Sequence, residues 1–150
     1  MLSLLPGCSR PAPGPLQTDQ YLVGAYYYLW FPGNFRHGYL RKYLEPPQQP
    51  ALGLYASTNV AVAEQHIAWA APHGIDFFAI DWWPSRPDQN AAFTNGFLQA
   101  RNVGDMRFCL FYETWALGFD KDLGCTSFDA DKRERFVADM VDLAERFFDH

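Results

Sequence analysis

The sequence of 150 residues lacks both long apolar runs and clusters of basic residues. No stretch approaches the ~18 consecutive apolar residues that a membrane-spanning helix requires. Lysine and arginine together number 12, against 17 aspartates and glutamates, which gives a net charge of -5. A surface that follows nucleic-acid phosphates needs an excess of basic residues, so we expect no nucleic-acid partner. An uncharged substrate is the simpler expectation.

The motifs of three common enzyme classes are also missing. Histidine, cysteine and acidic residues do not occur at zinc-site spacing, and no serine lies in the context of a hydrolase nucleophile elbow. Gly24 stands alone in its apolar segment, without the glycine-rich turn of dinucleotide-binding folds. We therefore expect neither a metal nor a cofactor.

Cysteine is scarce, with three in the chain. Cys109 falls in a strand-like segment and Cys125 in a loop. An export compartment would permit a disulfide between these two, but sequence spacing does not decide whether they pair.

The first 20 residues differ in composition from the remainder. They hold a short apolar patch followed by a linker rich in proline and glycine. Residues 5–8 (LPGC) resemble a bacterial lipobox, in which Cys8 would carry a lipid anchor to a bacterial membrane. We expect a signal or lipobox-like segment and flexible linker over residues 1–20, with export to the cell surface or periplasm. A disordered N-terminal tail is the alternative.

Strand and helix patterns alternate over residues 21–150. Apolar segments rich in strand-forming residues cover residues 21–28, 75–81 and 107–112. Helical spacing of apolar residues covers residues 60–73, 90–101 and 129–148, whereas residues 34–54 show no period and predict a long loop. Because the strands are apolar throughout, they are typical of a parallel sheet.

This pattern predicts an α/β fold, the N-terminal part of a (β/α)8 TIM-type barrel with about three βα units. A doubly wound sheet is the alternative, and the missing glycine-rich turn favours the barrel. A complete barrel needs about 250 residues, so we expect the barrel domain of residues 21–150 to be incomplete. The last helical pattern supports this expectation, since its apolar face reaches His150 without a capping residue or a following strand.

Aromatic residues make up 17% of the chain, and several of them follow the predicted strands. In parallel α/β folds, ligands bind beyond the carboxyl ends of the strands. The residues at those ends are rings and carboxylates: Tyr27, Trp30, Asp81, Trp82, Trp83 and Glu113. Rings stack on the apolar faces of sugars and carboxylates bind sugar hydroxyls, so we interpret this rim as a site for an oligosaccharide or polysaccharide.

Side-chain alternation limits how many of these residues can face a ligand. Because neighbours in a strand point to opposite faces, we expect Tyr27 at the site and Tyr26 and Tyr28 in the core. One of Trp82 and Trp83 should pack beneath the rim for the same reason.

The two carboxylates at the rim also have alternative interpretations. Asp81 could cap the loop that follows its strand. Glu113 comes directly after an apolar strand, where a carboxylate is costly unless it is paired or faces a polar cleft, and this favours a place in the site. A further possibility is that Asp81 and Glu113 form a catalytic acid and base pair.

Four segments in order resemble the opening of glycoside hydrolase family 99 and its relatives. They are residues 24–31 (GAYYYLWF), 52–57 (LGLYAS), 74–84 (GIDFFAIDWWP) and 111–114 (FYET). Their order and spacing are more specific than any single motif. The resemblance implies a (β/α)8 barrel that cleaves α-mannosidic linkages internally, with retention of configuration and without a metal.

By this resemblance, Tyr27 and Trp30 would line the sugar cleft, Trp82 or Trp83 would stack on a sugar, and Glu113 would bind sugar hydroxyls. Two glutamates on a later strand perform the chemistry in the family. One deprotonates the sugar 2-hydroxyl, which attacks the anomeric carbon to form a 1,2-anhydro sugar, and the other acts as acid and then as base. We expect both downstream of the present sequence, so this chain by itself should be inactive.

The sequence departs from the family pattern at Asp81, where a small hydroxyl residue is common, and at Thr114, where proline is common. The resemblance implies a mannan-like glycan as the substrate, whereas these two departures leave the linkage and the sugar open. A non-catalytic, glycan-binding surface lipoprotein is the alternative function.

Overall fold

The computed structural model describes residues 21–37, 46, 49–118, 122, 124–125 and 127–148, so Cys8 lies outside the described residues. Its strands and α-helices, in chain order, are β1 (Gly24–Tyr27), α1 (Gly33–His37), α2 (Val60–Ala70), β2 (Phe77–Trp82), α3 (Pro87–Asn95), β3 (Arg107–Tyr112) and α4 (Ala130–Phe147). Short 3-10 helices cover Ala71–His73, Phe97–Gln99, Val103–Asp105 and Thr114–Leu117. Within these ranges no helix is both long and apolar enough to cross a membrane.

The three strands form one parallel sheet in the order β1, β2, β3. β2 lies in the centre and pairs with both neighbours, with Phe77 opposite Gly24 of β1 and Arg107 of β3. The predicted parallel sheet is confirmed. Its strands alternate with helices in sequence, as a (β/α) architecture requires.

Helices α2, α3 and α4 all contribute to one core on one face of the sheet. That core contains Ile67 from α2, Phe93 from α3 and Ile80 from β2, all fully buried, and Phe147 of α4 packs against it. Phe108 of β3 meets the ring of Phe93 edge-on at 5.5 Å. Consecutive βα units of a barrel place their helices on one face of the sheet in this way, so the arrangement is consistent with part of a barrel.

The other face of the sheet, which we call the open face, carries no helix among the described residues. Its large side chains are exposed. Tyr26 of β1 is 63% exposed and Phe111 of β3 is 40% exposed. In a closed barrel this face becomes the interior, where side chains from successive strands pack in layers. Cys109 lies on the same face by alternation, and both it and Cys125 are free and exposed.

Helices α2 and α4 begin at residues whose side chains cap them. Asn59 accepts a hydrogen bond from Ala61 N at 3.1 Å at the start of α2, and Asp129 accepts one from Lys132 N at 3.0 Å at the start of α4. Helix α3 begins at Pro87, three residues before the predicted start at residue 90, because proline is well suited to the first helical position. The short helix α1 lies where the sequence predicted only loop.

The apolar face predicted for α4 is only partly buried. Val137, Val141 and Phe148 of the predicted face are about half exposed, and the buried residue of the helix is Leu143, which the prediction did not include. On the sheet side, Tyr112 of β3 donates a hydrogen bond to Asp139 of α4 at 2.7 Å, which fixes the helix against the strand.

Hydrogen bonds hold the loop after β1 against the residues that precede α2, close to the end of α3. Ser57, which is buried, donates its backbone N–H to Phe31 O at 3.0 Å and accepts from Phe31 N through its hydroxyl at 3.2 Å. Gly96, just after α3, packs against the backbone of Ser57 and Ala92 so closely that a Cβ there would overlap both carbonyl oxygens. Glycine is therefore required at this junction.

We predict that Gly96→Ala lowers the free energy of unfolding by about 1–3 kcal/mol, because rigid backbone must move to admit the methyl group. The matched control is Gly104→Ala, where a Cβ would meet open space. Urea unfolding followed by circular dichroism measures both. Equal midpoints for the two variants would contradict the close packing at Gly96.

Candidate functional site

The carboxyl ends of the three strands lie at the same edge of the sheet. Trp82 is in register with Tyr112, and the backbone N–H of Glu113 donates to Trp82 O at 3.0 Å, which continues the pairing beyond β3. Asp81, Trp83 and Glu113 are thereby brought to one rim, as the sequence predicted. Tyr28 and Trp30 reach this rim from the end of β1.

Two aromatic rings stack face to face at the β1 end of the rim. The ring of Trp30 stacks on that of Tyr28, with centroids 4.2 Å apart and planes 5° from parallel. Tyr26 continues the stack at 6.3 Å from Tyr28. Tyr28 remains 38% exposed. An exposed stack of this kind suits a ligand with apolar flat faces.

A buried carboxyl group holds the ring of Trp83. Asp81 is 1% exposed, and its Oδ2 accepts a hydrogen bond from the indole Nε1 of Trp83 at 3.0 Å. Among the described residues, no group donates a hydrogen bond to Asp81 Oδ1. Because a group so buried cannot offer much surface to a ligand, this placement makes Asp81 a positioning residue for Trp83.

The environment of Asp81 disfavours its ionised form. Burial raises the pKa of this carboxyl from 3.8 to about 6, the hydrogen bond from Trp83 opposes the rise, and the charge of Glu113 adds to it. Burial also raises the pKa of the Tyr28 hydroxyl, and the charges of Asp81 and Glu113 contribute. The two carboxyl groups and the Tyr28 hydroxyl therefore act as one electrostatic cluster.

Glu113 lies between the strand end and a short helix. Its Oε1 accepts a long hydrogen bond of 3.4 Å from Trp115 N and so caps the 3-10 helix Thr114–Leu117. The side chain is only partly buried, unlike that of Asp81. Glu113 is thus the rim carboxylate that a ligand can reach.

The structure reverses the predicted orientation of the three tyrosines. Tyr27 points to the helix side, where its hydroxyl hydrogen-bonds His66 Nδ1 at 3.0 Å and its ring stacks on Phe78 at 4.7 Å. Burial accordingly raises the pKa of Tyr27 and lowers that of His66. Tyr26 and Tyr28, expected in the core, point to the open face instead. In the candidate site Tyr28 therefore replaces Tyr27.

Trp82 also lies on the helix side. It is 2% exposed and faces Tyr112, with ring centroids 6.0 Å apart. The expectation that one of the two tryptophans packs beneath the rim is met by Trp82, which leaves Trp83 as the ring available to a ligand.

A cavity of about 490 Å³ adjoins the rim, and no sequence pattern predicted it. Trp30 and Trp83 line it together with residues from the loop after β1 and the first turns of α3, among them Asn34 and Gln89. Gln89 lies here because α3 starts at Pro87, and proline at the first helical position is the signal that could have located this turn.

The described part of the chain contains no group of three or more histidine, cysteine or acidic side chains that could hold a metal ion. The rim is thus built from rings, one accessible carboxylate and one buried carboxyl group.

We predict that Asp81 makes stability fall with rising pH. Its folded-state pKa lies above its unfolded value, so the folded form binds the proton more tightly and the contribution is lost between about pH 4 and about pH 6. In Asp81→Asn this part of the pH dependence should be absent, and the stability of the variant relative to the parent chain should rise across that window.

The matched control is Asp105→Asn, at an exposed carboxylate in the Val103–Asp105 helix. Unfolding by urea at several pH values measures all three chains. A constant difference between Asp81→Asn and the parent from pH 4 to pH 7 would contradict the burial argument.

Comparison with known proteins gives structural likeness without sequence matches. No family model and no curated protein matches the sequence. The endo-α-mannosidase of glycoside hydrolase family 99 from Bacteroides thetaiotaomicron, in complex with bis-tris propane, is similar to 86% of this chain, with a TM-score of 0.55 and 16% identity. A second structure of that enzyme matches over 85% of the chain with a TM-score of 0.54 and 15% identity.

A third solved structure, of a glycoside hydrolase-like protein, matches 91% of the chain with a TM-score of 0.54 and 23% identity. The present chain covers 37%, 40% and 40% of the three proteins, respectively, or about two fifths of their length. The fold of the chain is therefore that of a portion of these glycoside hydrolase-like proteins, in agreement with the resemblance seen in the sequence.

Proposed function

We propose that the rim binds a neutral glycan, and that as part of a longer barrel it serves a glycoside hydrolase. The supporting observation is the meeting of Tyr28, Trp30 and Trp83 with the accessible carboxylate of Glu113 at the carboxyl ends of parallel strands. That edge is where (β/α) barrels bind their substrates. The fold likeness to family 99 supports the class of ligand.

Each rim residue has a chemical role in this proposal. The apolar faces of a pyranose stack on the rings of Trp30 and Trp83, Tyr28 supports the ring of Trp30 by stacking on it, and Glu113 accepts hydrogen bonds from sugar hydroxyls. Asp81 takes no direct part and keeps the indole of Trp83 in place through its hydrogen bond.

The proposed reaction is endo-acting hydrolysis of α-mannosidic or related α-glycosidic linkages with retention. It rests on the family resemblance, in which two glutamates of a later strand carry the chemistry. Asp81 and Glu113 are poor substitutes for such a pair, because one of them is 1% exposed and committed to Trp83. A retaining pair needs both carboxyl groups to reach the scissile bond from opposite sides. We therefore assign binding, and not catalysis, to this rim.

We predict that the chain binds an α-linked mannotriose without releasing new reducing ends. Trp83→Ala should weaken binding roughly ten-fold, because a stacking ring is lost, and Glu113→Gln should weaken it by a smaller factor. The matched control is Trp69→Ala, at an exposed tryptophan on the outer surface of α2. Titration calorimetry and a reducing-sugar assay are the measurements.

Equal affinities for Trp83→Ala and Trp69→Ala, or no binding by the parent chain, would contradict the proposal. Hydrolysis that disappears in Glu113→Gln would instead support the Asp81 and Glu113 pair as acid and base. Binding without turnover in a longer form of the protein would favour the non-catalytic surface protein.

We also propose that the protein is exported to a bacterial cell surface or periplasm, with Cys8 as the lipid-bearing residue. The proposal rests on the lipobox-like residues 5–8 alone. Expression in a bacterial host should give a membrane-associated protein whose N-terminal peptide carries a diacylglyceryl mass at Cys8, and Cys8→Ser should abolish both. A Cys8 peptide without added lipid mass would exclude the anchor.

A further inference from the structure

The cavity beside the rim has the size of a ligand site. Its volume of about 490 Å³ falls within the range of ~300–1,000 Å³ typical of small-molecule pockets. It lies between the loop after β1 and the start of α3, with Leu29 and Ala92 among its lining residues. Both are buried core residues, so the cavity lies toward the helix side and outside the open face of the sheet.

Two tryptophans join this cavity to the rim. Trp30 stacks on Tyr28 and Trp83 is held by Asp81, and both also line the cavity. The rings of Trp30 and Trp83 are therefore shared between the rim and the cavity.

A buried amide side chain is among the residues that line the cavity. Gln89 is 3% exposed, and among the described residues no group donates a hydrogen bond to its Oε1. Its backbone N–H is already bonded to Arg86 O at 3.1 Å, which fixes the main chain at the start of α3. Buried amides are nearly always satisfied, and this oxygen is closed to solvent, so the side chain must turn toward the cavity before it can accept a hydrogen bond from a ligand hydroxyl group.

The charges at the cavity cancel. Arg86 and Asp88 both line it, and Arg86 Nε lies 3.3 Å from Asp88 Oδ1 in an exposed ion pair. The remaining polar lining comes from uncharged side chains, Asn34, Thr58 and Gln89. Rings, amides and a hydroxyl group without net charge match a neutral sugar better than an anion.

We propose that this cavity binds one further pyranose residue of the glycan whose neighbouring residues lie on the rim, with Gln89 and Asn34 as its polar contacts. The inference rests on the proposed function, since it concerns the same ligand. It predicts that the chain prefers longer oligosaccharides, and that this preference depends on residues that the rim does not use.

The test compares α-linked mannobiose with α-linked mannotetraose by titration calorimetry. Gln89→Met keeps the side-chain length and removes the amide, and should weaken mannotetraose binding roughly five- to ten-fold, as expected for a lost hydrogen bond, while mannobiose binding changes less than about two-fold. Asn34→Ala should also weaken mannotetraose binding more than mannobiose binding, but by a smaller factor. It provides a second variant if Gln89→Met unfolds. Gln65→Met, on α2, is the matched control.

Glu113→Gln separates this inference from the proposed function, because it should weaken both oligosaccharides. If Glu113→Gln weakens both but Gln89→Met and Asn34→Ala alter neither, or alter both equally, the cavity site is wrong and the rim proposal stands. If the parent chain binds neither oligosaccharide, both proposals are overturned.

Discussion

The central strand β2 pairs with both of its neighbours, and the height of every side chain at the rim depends on this pairing. Ile80 lies opposite Tyr27 of β1 and Leu110 of β3, so the next residues of the three strands emerge at one level. The register also fixes the faces, since a shift by one residue moves every side chain of a strand to the opposite side. The rings of the open face and the core of the helix side are both consequences of this pairing.

Burial of Asp81 is the costly feature of this arrangement. A carboxyl group with 1% exposure and one oxygen that lacks a partner among the described residues opposes folding when it is ionised, and its raised pKa expresses that cost. The same burial gives the hydrogen bond to Trp83 a rigid acceptor, so the indole is held in place by the protein alone. Ligand sites commonly carry such locally unfavourable groups, because a preorganised ring loses less entropy on binding.

The sequence was sufficient for the parts of the fold that depend on local or periodic signals. Three apolar strands and the collection of rings at the strand ends were both foreseeable. The orientation of the tyrosines was not, because three identical residues in succession carry no polar residue to mark the outer face. Their orientation follows from the pairing of Tyr26 with Ala79, which is a long-range contact. The cavity at Gln89 depends on how two distant loops pack, and no local pattern encodes that.

The open face is ordered by a small residue in the central strand. Tyr26 and Phe111 belong to β1 and β3, which are not neighbours, yet their rings meet edge-on with centroids 5.3 Å apart. Ala79 lies beside Tyr26 on the intervening strand, and its short side chain leaves room for the two rings to meet above β2. Alternation of small and large side chains fills barrel interiors in the same way.

Because Tyr26 also stacks with Tyr28, and Tyr28 with Trp30, Ala79 indirectly supports the stacked rings at the rim. The packing of the sheet interior and the geometry of the candidate site are therefore one continuous set of contacts.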